Sequence, residues 1–246
     1  SGLQLNAQEI GNALYGLQNM RDSEPVQAVL KAMVPQLSRS DLRLEAQHIG
    51  NALYGLRNMQ AGTQIRRLLT AFNELIDRGG LRFYSNRNIS TDICLAESLH
   101  SLRPHIQTPE AQELARKLFV QARREHLQPS TAIRHSDDVD RVLLRVLRPE
   151  LLGVDRRIAG RQKLDLHGCS HALGQTAGRL FLNEWHATAT APLTVVFGRA
   201  SHNQANEGRM RAVVEQLAST EFAHLNWGPW EVGSVTVTPP NVSRNH

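Results

Sequence analysis

The fold class this sequence predicts is an α-helical repeat domain (an α-solenoid) over residues 3–148, followed by an α/β two-layer sandwich over 163–239. Three observations predict it. A 13-residue segment recurs in the first half, an amphipathic helix follows each copy, and from Leu164 onward short apolar strands alternate with helices. Residues 149–162 read as a basic linker carrying Arg156, Arg157 and Arg161, and 240–246 as a loose tail.

The repeat runs Gln8-Glu-Ile-Gly-Asn-Ala-Leu-Tyr-Gly-Leu-Gln-Asn-Met20 and returns 39 residues later as Gln47-His-Ile-Gly-Asn-Ala-Leu-Tyr-Gly-Leu-Arg-Asn-Met59. A worn third copy is Leu95-Ala-Glu-Ser-Leu-His-Ser-Leu-Arg103, with small residues in the glycine and alanine places. Ile10, Ala13, Leu14 and Leu17 fall at i, i+3, i+4, i+7, an apolar helical stripe. Gly11 and Gly16 each cost about 1 kcal/mol of helix propensity against Ala, so keeping both in two copies predicts a close helix–helix approach. Second helices follow at about Glu24 to Leu37, Gln64 to Arg78 and Pro109 to Glu125. One helix pair cannot bury its stripe alone, so the copies are expected to stack. A further helix is expected from Ser136, as N-cap, to Arg148, stopped by Pro149.

The Asn-Ala-Leu-x-x-Leu helix resembles the octotricopeptide and heptatricopeptide repeats of RNA-binding proteins, over Gln8 to about Arg124. That resemblance implies a single-stranded RNA partner, read by the positions that vary between copies. The variable polar pairs are Gln18/Arg57 and Glu9/His48, with Asn19/Asn58 near the helix end. Gln18 and Arg57 are the nucleic-acid-binding candidates of this half. The same residues also suit a solvated helix face, and helical repeats bind proteins as well, so a protein partner is the alternative occupant.

In the second half, Leu164–His167 reads as strand one and Ser170–His186 as a helix capped by Ser170, with Ala172, Leu173, Ala177, Leu180 and Phe181 on one face. Leu193–Phe197 is strand two and Glu207–Ala218 helix two, and Phe222–Leu225 and Ser234–Thr238 supply two more strands. Alternation at this pitch predicts an open α/β sheet with some parallel pairing, complete within residues 161–246.

Lys163-Leu-Asp-Leu-His-Gly168 delivers Asp165 and His167 to the end of strand one, and Val195-Val-Phe-Gly-Arg-Ala-Ser-His202 ends strand two in a basic, glycine-containing loop. Strand ends of this kind are where open α/β sheets bind ligands, and the residue types suit an anion. With Gly208-Arg-Met-Arg-Ala-Val-Val214 and Val232-Gly-Ser-Val-Thr-Val237, these motifs resemble the Smr domain over roughly Arg161 to Pro239. The chain departs from the family pattern at Ala200, where a second glycine is usual, and at Asn203, where serine is usual.

The resemblance implies an endonuclease, most simply an endoribonuclease, with a DNA-binding or DNA-nicking protein or a non-catalytic adaptor as alternatives. Asp165 and His167 are then the catalytic candidates, and Gly198, Arg199, Ser201 and His202 bind the nucleic acid. A histidine titrates near neutrality and serves as general base or acid, while Arg199 stabilises phosphoryl charge. Activation of the ribose 2′-hydroxyl needs no cofactor, and a divalent Mg or Mn ion held by Asp165 and His167 is the second route. Strand alternation puts Asp165 and His167 on one face without requiring that they touch. On residue type alone, Asp165 also reads as a helix-capping or loop-bonding carboxylate and His167 as a packed strand-end histidine. Trp185, Trp227 and Trp230 suit the core, and only the Asn226-Trp-Gly-Pro-Trp230 stretch, read as a turn, invites base stacking.

Composition is ordinary for a globular chain, with 41% apolar and 21% charged residues. Net charge is +5, carried by 25 arginines and three lysines. Arginine is the better bidentate phosphate partner, so an anionic partner is favoured, RNA first and DNA second. No apolar run approaches the ~18 residues of a membrane span, so no membrane partner is expected. Cys94 and Cys169 have no metal-like spacing and read as free thiols in a reducing, cytoplasmic compartment, with an organellar or secreted-effector location as the alternative. Ser1-Gly2 reads as a cloning scar.

Overall fold

A computed structural model describes residues 4–82, 97–124, 141–154, 161–167, 169, 171–198 and 204–240. The chain divides into two compact units, Ser1–Leu127 and Gln128–His246. Among the described residues no helix is long and apolar enough to cross a membrane.

The first unit holds α1 (Ala7–Tyr15), α2 (Glu24–Leu37), β1 (Leu44–Glu45), α3 (Ala46–Leu56), α4 (Thr63–Asp77), β2 (Leu81–Arg82), α5 (97–101), a 3-10 turn (Arg103–His105) and α6 (Pro109–Arg124). First helices pack on first helices (α1 on α3) and second helices on second helices (α2 on α4, α4 on α6). The two short strands pair in parallel, Leu44 with Leu81. The apolar stripe is the reason for the stacking: Ile10, Leu14 and Leu17 are at most 5% exposed, and Ile49, Ala52, Leu53 and Leu56 are fully buried. Glu9 and His48, expected to face a ligand, serve their own helix starts instead. Glu9 closes a capping box with Asn6, its Oε2 accepting from the Asn6 amide at 2.8 Å, and His48 Nδ1 accepts from the Glu45 amide at 3.1 Å.

Close approach through the repeat glycines is present, and it is asymmetric. A Cβ on Gly11 would lie 3.2 Å from the His48 carbonyl oxygen, and one on Gly55 only 1.9 Å from that of Leu14. Gly16, the counterpart of Gly55, meets only its own helix at 3.5 Å. Its expected contact is absent because no described helix stacks on that side of α1.

His105 is a buried polar group of this unit, 1% exposed, with Nε2 donating to the Leu56 carbonyl at 3.0 Å and Nδ1 unpartnered among the described residues. Burial lowers its pKa below the usual histidine value, and the bond to Leu56 opposes that only in part. The unfolded chain then takes up the proton more readily than the folded one. Stability is therefore full above about pH 6.5 and falls as pH drops through that value. The urea midpoint followed by helical circular dichroism is expected to be lower at pH 5.5 than at pH 7.5. His105→Gln, which keeps a donor for Leu56, should flatten that difference; an equally steep variant would place its source elsewhere.

The second unit runs α7 (Arg141–Leu151), β3 (Leu152–Val154), β4 (Gln162–Asp165), α8 (His171–Thr188), β5 (Leu193–Val196), α9 (Gln204–Thr220), β6 (Asn226–Glu231) and β7 (Ser234–Thr238). The sheet order is β3-β4-β5-β7-β6, with β4 and β5 parallel and the other pairs antiparallel. Leu164, Val195 and Val235 lie in register, as do Leu193 and Val237, giving one apolar face. The alternate positions, Lys163, Asp165, Thr194, Ser234 and Thr236, form the other. Helices α8 and α9 meet through small residues: a Cβ on Gly178 would lie 2.6 Å from Leu217 Cδ1, and one on Gly174 2.5 Å from the Met210 sulfur. Arg179 of α8 bonds Glu221, the residue just after α9, twice at 2.6 Å.

Three expectations are corrected here. Helix α7 does not stop at Pro149 but runs to Leu151, because burial of Leu147 and Leu151 outweighs the one hydrogen bond that proline omits. The segment 149–162 is accordingly not only a linker: it holds the end of α7 and β3, which pairs with β4, so the sheet is not complete within 161–246. Phe222–Leu225 is a turn, closed by the Leu225 amide on the Phe222 carbonyl at 3.1 Å, and the strand is β6, paired with β7. Buried Phe222 anchors that turn instead of alternating in a ladder. The expected N-cap Ser170 and the tail 241–246 lie outside the described residues.

Candidate active site

Asp165 is the last residue of β4, and the Leu166 amide still bonds the Val196 carbonyl at 2.8 Å. That bond keeps the Leu166 side chain in the core and turns its neighbours, Asp165 and His167, to the opposite side. The two side chains touch. Asp165 Oδ1 accepts from His167 Nδ1 at 2.8 Å and from the His167 amide at 3.2 Å, while Oδ2 accepts from Lys163 Nζ at 3.1 Å. The carboxylate is thus fixed by both oxygens, and the imidazole ring is oriented through one nitrogen. Asp165 is 14% exposed and His167 46%, so the carboxylate sits behind and the ring faces outward. With Nδ1 bonded to Asp165, Nε2 has no hydrogen-bond partner among the described residues, and an imidazole held this way can act through that nitrogen as a proton donor or acceptor.

The end of β5 closes on this pair. Gly198 has φ +96°, and a Cβ there would lie 3.3 Å from His167 Cβ, so a side chain would be strained in the backbone and would press on the histidine. The amides of Phe197 and Gly198 both bond the Gly233 carbonyl, at 2.9 and 3.1 Å, which ties the exit of β5 to the β6–β7 turn. Arg161 spans from the start of β4 to β7, donating to Thr236 Oγ1 at 3.3 Å.

Of the residues expected here, Asp165, His167 and Gly198 come together. Arg199, Ser201 and His202, with Gly168 and Ala200 beside them, lie outside the described residues. Gln18 and Arg57 belong to the helical unit, where the Gln18 carbonyl accepts from Asn58 Nδ2 at 2.9 Å and Arg57 lies over the Tyr54 ring. Asn226–Glu231 is a strand, not a turn; Trp227 and Trp230 stack on each other at 6.0 Å, and Trp227 Nε1 donates to the Phe222 carbonyl. His186 and His224 meet edge to face at 4.8 Å. Lys163 was missed as a member of the site, although its place two residues before Asp165 on one strand already put it on the same face.

No protein-family model, no curated protein and no solved structure matches the chain.

Proposed function

We propose that the chain is an RNA-binding endoribonuclease in which an α-solenoid of helical repeats selects single-stranded RNA and an Smr-like α/β sandwich cuts it. The observation that carries the reading is the Asp165–His167 pair: an outward-facing imidazole held through Nδ1 by a carboxylate that is itself held by Lys163. His167 Nε2 takes the proton of a ribose 2′-hydroxyl, and the freed oxygen attacks the adjacent phosphorus. The bond to the 5′-oxygen of the next nucleotide breaks, that oxygen takes a proton from water, a cyclic phosphate is left, and the imidazolium gives its proton to the hydroxide so formed. Asp165 keeps Nδ1 protonated and stabilises the imidazolium as it forms. Arg199, with the loop after Gly198, is assigned to the phosphoryl oxygens. None of these steps requires a metal ion.

The test is gel analysis of labelled single-stranded RNA, duplex DNA and branched DNA with the full chain, with and without EDTA. Cutting of RNA alone is expected, insensitive to EDTA and abolished by a 2′-deoxy substitution at the cut nucleotide. Cutting of the deoxy-substituted strand at the same rate would remove the 2′-hydroxyl route. Cutting only of DNA would move the protein to the DNA-nicking alternative, and cutting of none would leave it a binding protein.

A further inference from the structure

The repeat builds a surface in the helical unit that the core does not explain. Tyr15 and Tyr54 hold the same place in the two copies, and their rings stack with centroids 5.5 Å apart and planes 19° from parallel. Gly55 sets that closeness, since a Cβ there would lie 2.9 Å from Tyr15 Cα. The guanidinium carbon of Arg57 lies 3.6 Å from the centroid of the Tyr54 ring. Tyr54 is thus covered twice, while Tyr15 remains 41% exposed. In the third copy the tyrosine place is His100 and the Arg57 place is Arg103.

One exposed ring, Tyr15, backed by a covered one and joined to a guanidinium presents a flat π-face together with a cation, the combination that takes up an unpaired nucleobase and its phosphate. The charge of the segments that follow the rings in sequence agrees. The segments 16–23, 55–64 and 101–109, which follow the ring positions, carry Arg21, Arg57 and Arg103 against a single carboxylate, Asp22. That balance favours a polyanion over a protein surface. Arg57 is over a ring instead of bonded to the last carbonyls of α3, so neutralising the helix terminus does not account for its placement.

We propose that Tyr15, Tyr54 and Arg57 form a base-stacking strip for single-stranded RNA: a base stacks on the exposed Tyr15 ring, Tyr54 holds that ring in place, and Arg57 meets a backbone phosphate further along the strand. The assignment rests on the reading of the repeats as RNA-binding and adds the mode, which is stacking and is therefore tolerant of base identity.

The experiment uses the full chain and a fluorescein-labelled 12-nucleotide 2′-O-methyl RNA, which cannot be attacked at its 2′-oxygen, beside an abasic strand of equal length, with anisotropy read over a salt series. Stacking is worth a loss of about five- to a hundredfold in affinity when the ring is removed. Tyr15→Ala is expected to weaken the base-bearing strand by about tenfold or more at an unchanged salt slope, and Tyr15→Phe to bind like wild type. Neither should alter binding of the abasic strand. Arg57→Gln should lower the slope of log affinity against log salt by about 0.7, one lost single-strand phosphate contact. Circular dichroism at the assay temperature reads whether each variant is folded, and Tyr15→Leu, which keeps an apolar side chain without a ring face, is expected to match Tyr15→Ala. If wild type prefers the base-bearing strand and the Ala and Leu variants keep that preference in full, the strip is overturned and the RNA reading stands. Equal wild-type affinity for the two strands overturns it as well. Binding of neither strand by the wild type removes the RNA-selecting role of the repeats altogether, a result separate from whether the α/β unit cuts.

Discussion

His167→Ala is expected to lower the RNA-cleavage rate by about two to four orders of magnitude while affinity stays within a few-fold, because general acid–base catalysis contributes on that scale. Asp165→Asn is expected to do nearly as much without touching the imidazole. The carboxylate now receives both Nδ1–H and the amide of His167. An amide side chain in its place presents an NH2 or a neutral oxygen, so it neither enforces the Nδ1–H tautomer nor balances an imidazolium. Single-turnover cleavage with saturating enzyme, alongside anisotropy on uncleavable RNA, separates rate from binding. Either variant cutting at the wild-type rate would take that residue out of the chemistry; a fall in affinity matching the fall in rate would make it a binding residue.

Gly55→Ala and Gly16→Ala should respond oppositely although they change the same repeat position. At Gly55 the new Cβ would lie 1.9 Å from the Leu14 oxygen, 2.6 Å from the Leu14 carbonyl carbon and 2.9 Å from Tyr15 Cα, all main-chain atoms that no rotamer change can move. Overpacking a core costs typically 1–3 kcal/mol, and separation of α1 from α3 adds loss of the shared stripe, so a destabilisation of about 3 kcal/mol or more is expected. At Gly16, the C-cap of α1, the Cβ meets only ordinary 3.5 Å contacts at φ −59°, and the smaller freedom of alanine in the unfolded chain makes the change neutral or stabilising by up to about 1 kcal/mol. Urea titration followed by helical circular dichroism measures both. The second unit holds all three tryptophans, so indole fluorescence reports it by itself. A Gly55→Ala protein within about 0.5 kcal/mol of wild type would contradict the close approach of the two helices.

Much of the local structure was legible in the chain because periodicity is a local property. The i, i+3, i+4, i+7 stripe located α1 and α3, the recurrence of the segment showed which helices are alike, and alternating apolar runs located β4, β5 and β7. Helices α8 and α9 were placed within a few residues, while the expected start of the preceding helix at Ser136 lies outside the described residues. What failed did so where burial overrode a local signal. Pro149 reads as a stop, yet Leu151 is drawn into the core and the helix continues past the proline. Residues 152–154 read as linker because a three-residue edge strand carries no periodicity of its own and exists through its partner β4. Phe222–Leu225 has strand composition, but its backbone bonds are spent on a turn.

The candidate site divides along the same line. Motif and strand-end position named Asp165, His167 and Gly198 in advance, since residue type and chemistry are properties of the chain. Their contact was not decided by spacing: side chains two apart on a strand stand nearly parallel, and the 2.8 Å bond forms because the chain leaves the ladder after Leu166 and His167 turns back onto the carboxylate. Glu9 and His48 vary between copies as ligand readers would, yet helix termini claim them. The Tyr15–Tyr54–Arg57 stack lies still further from the sequence. Its residues are visible there, but 39 positions separate the two rings, and only the packing of α1 on α3 through Gly55 brings them face to face. Sequence alone determined which residues repeat, which segments are amphipathic and which side chains can do chemistry, because each follows from local composition. Tertiary structure decided which of them meet, because contact depends on burial and on the main-chain approach that a single glycine permits.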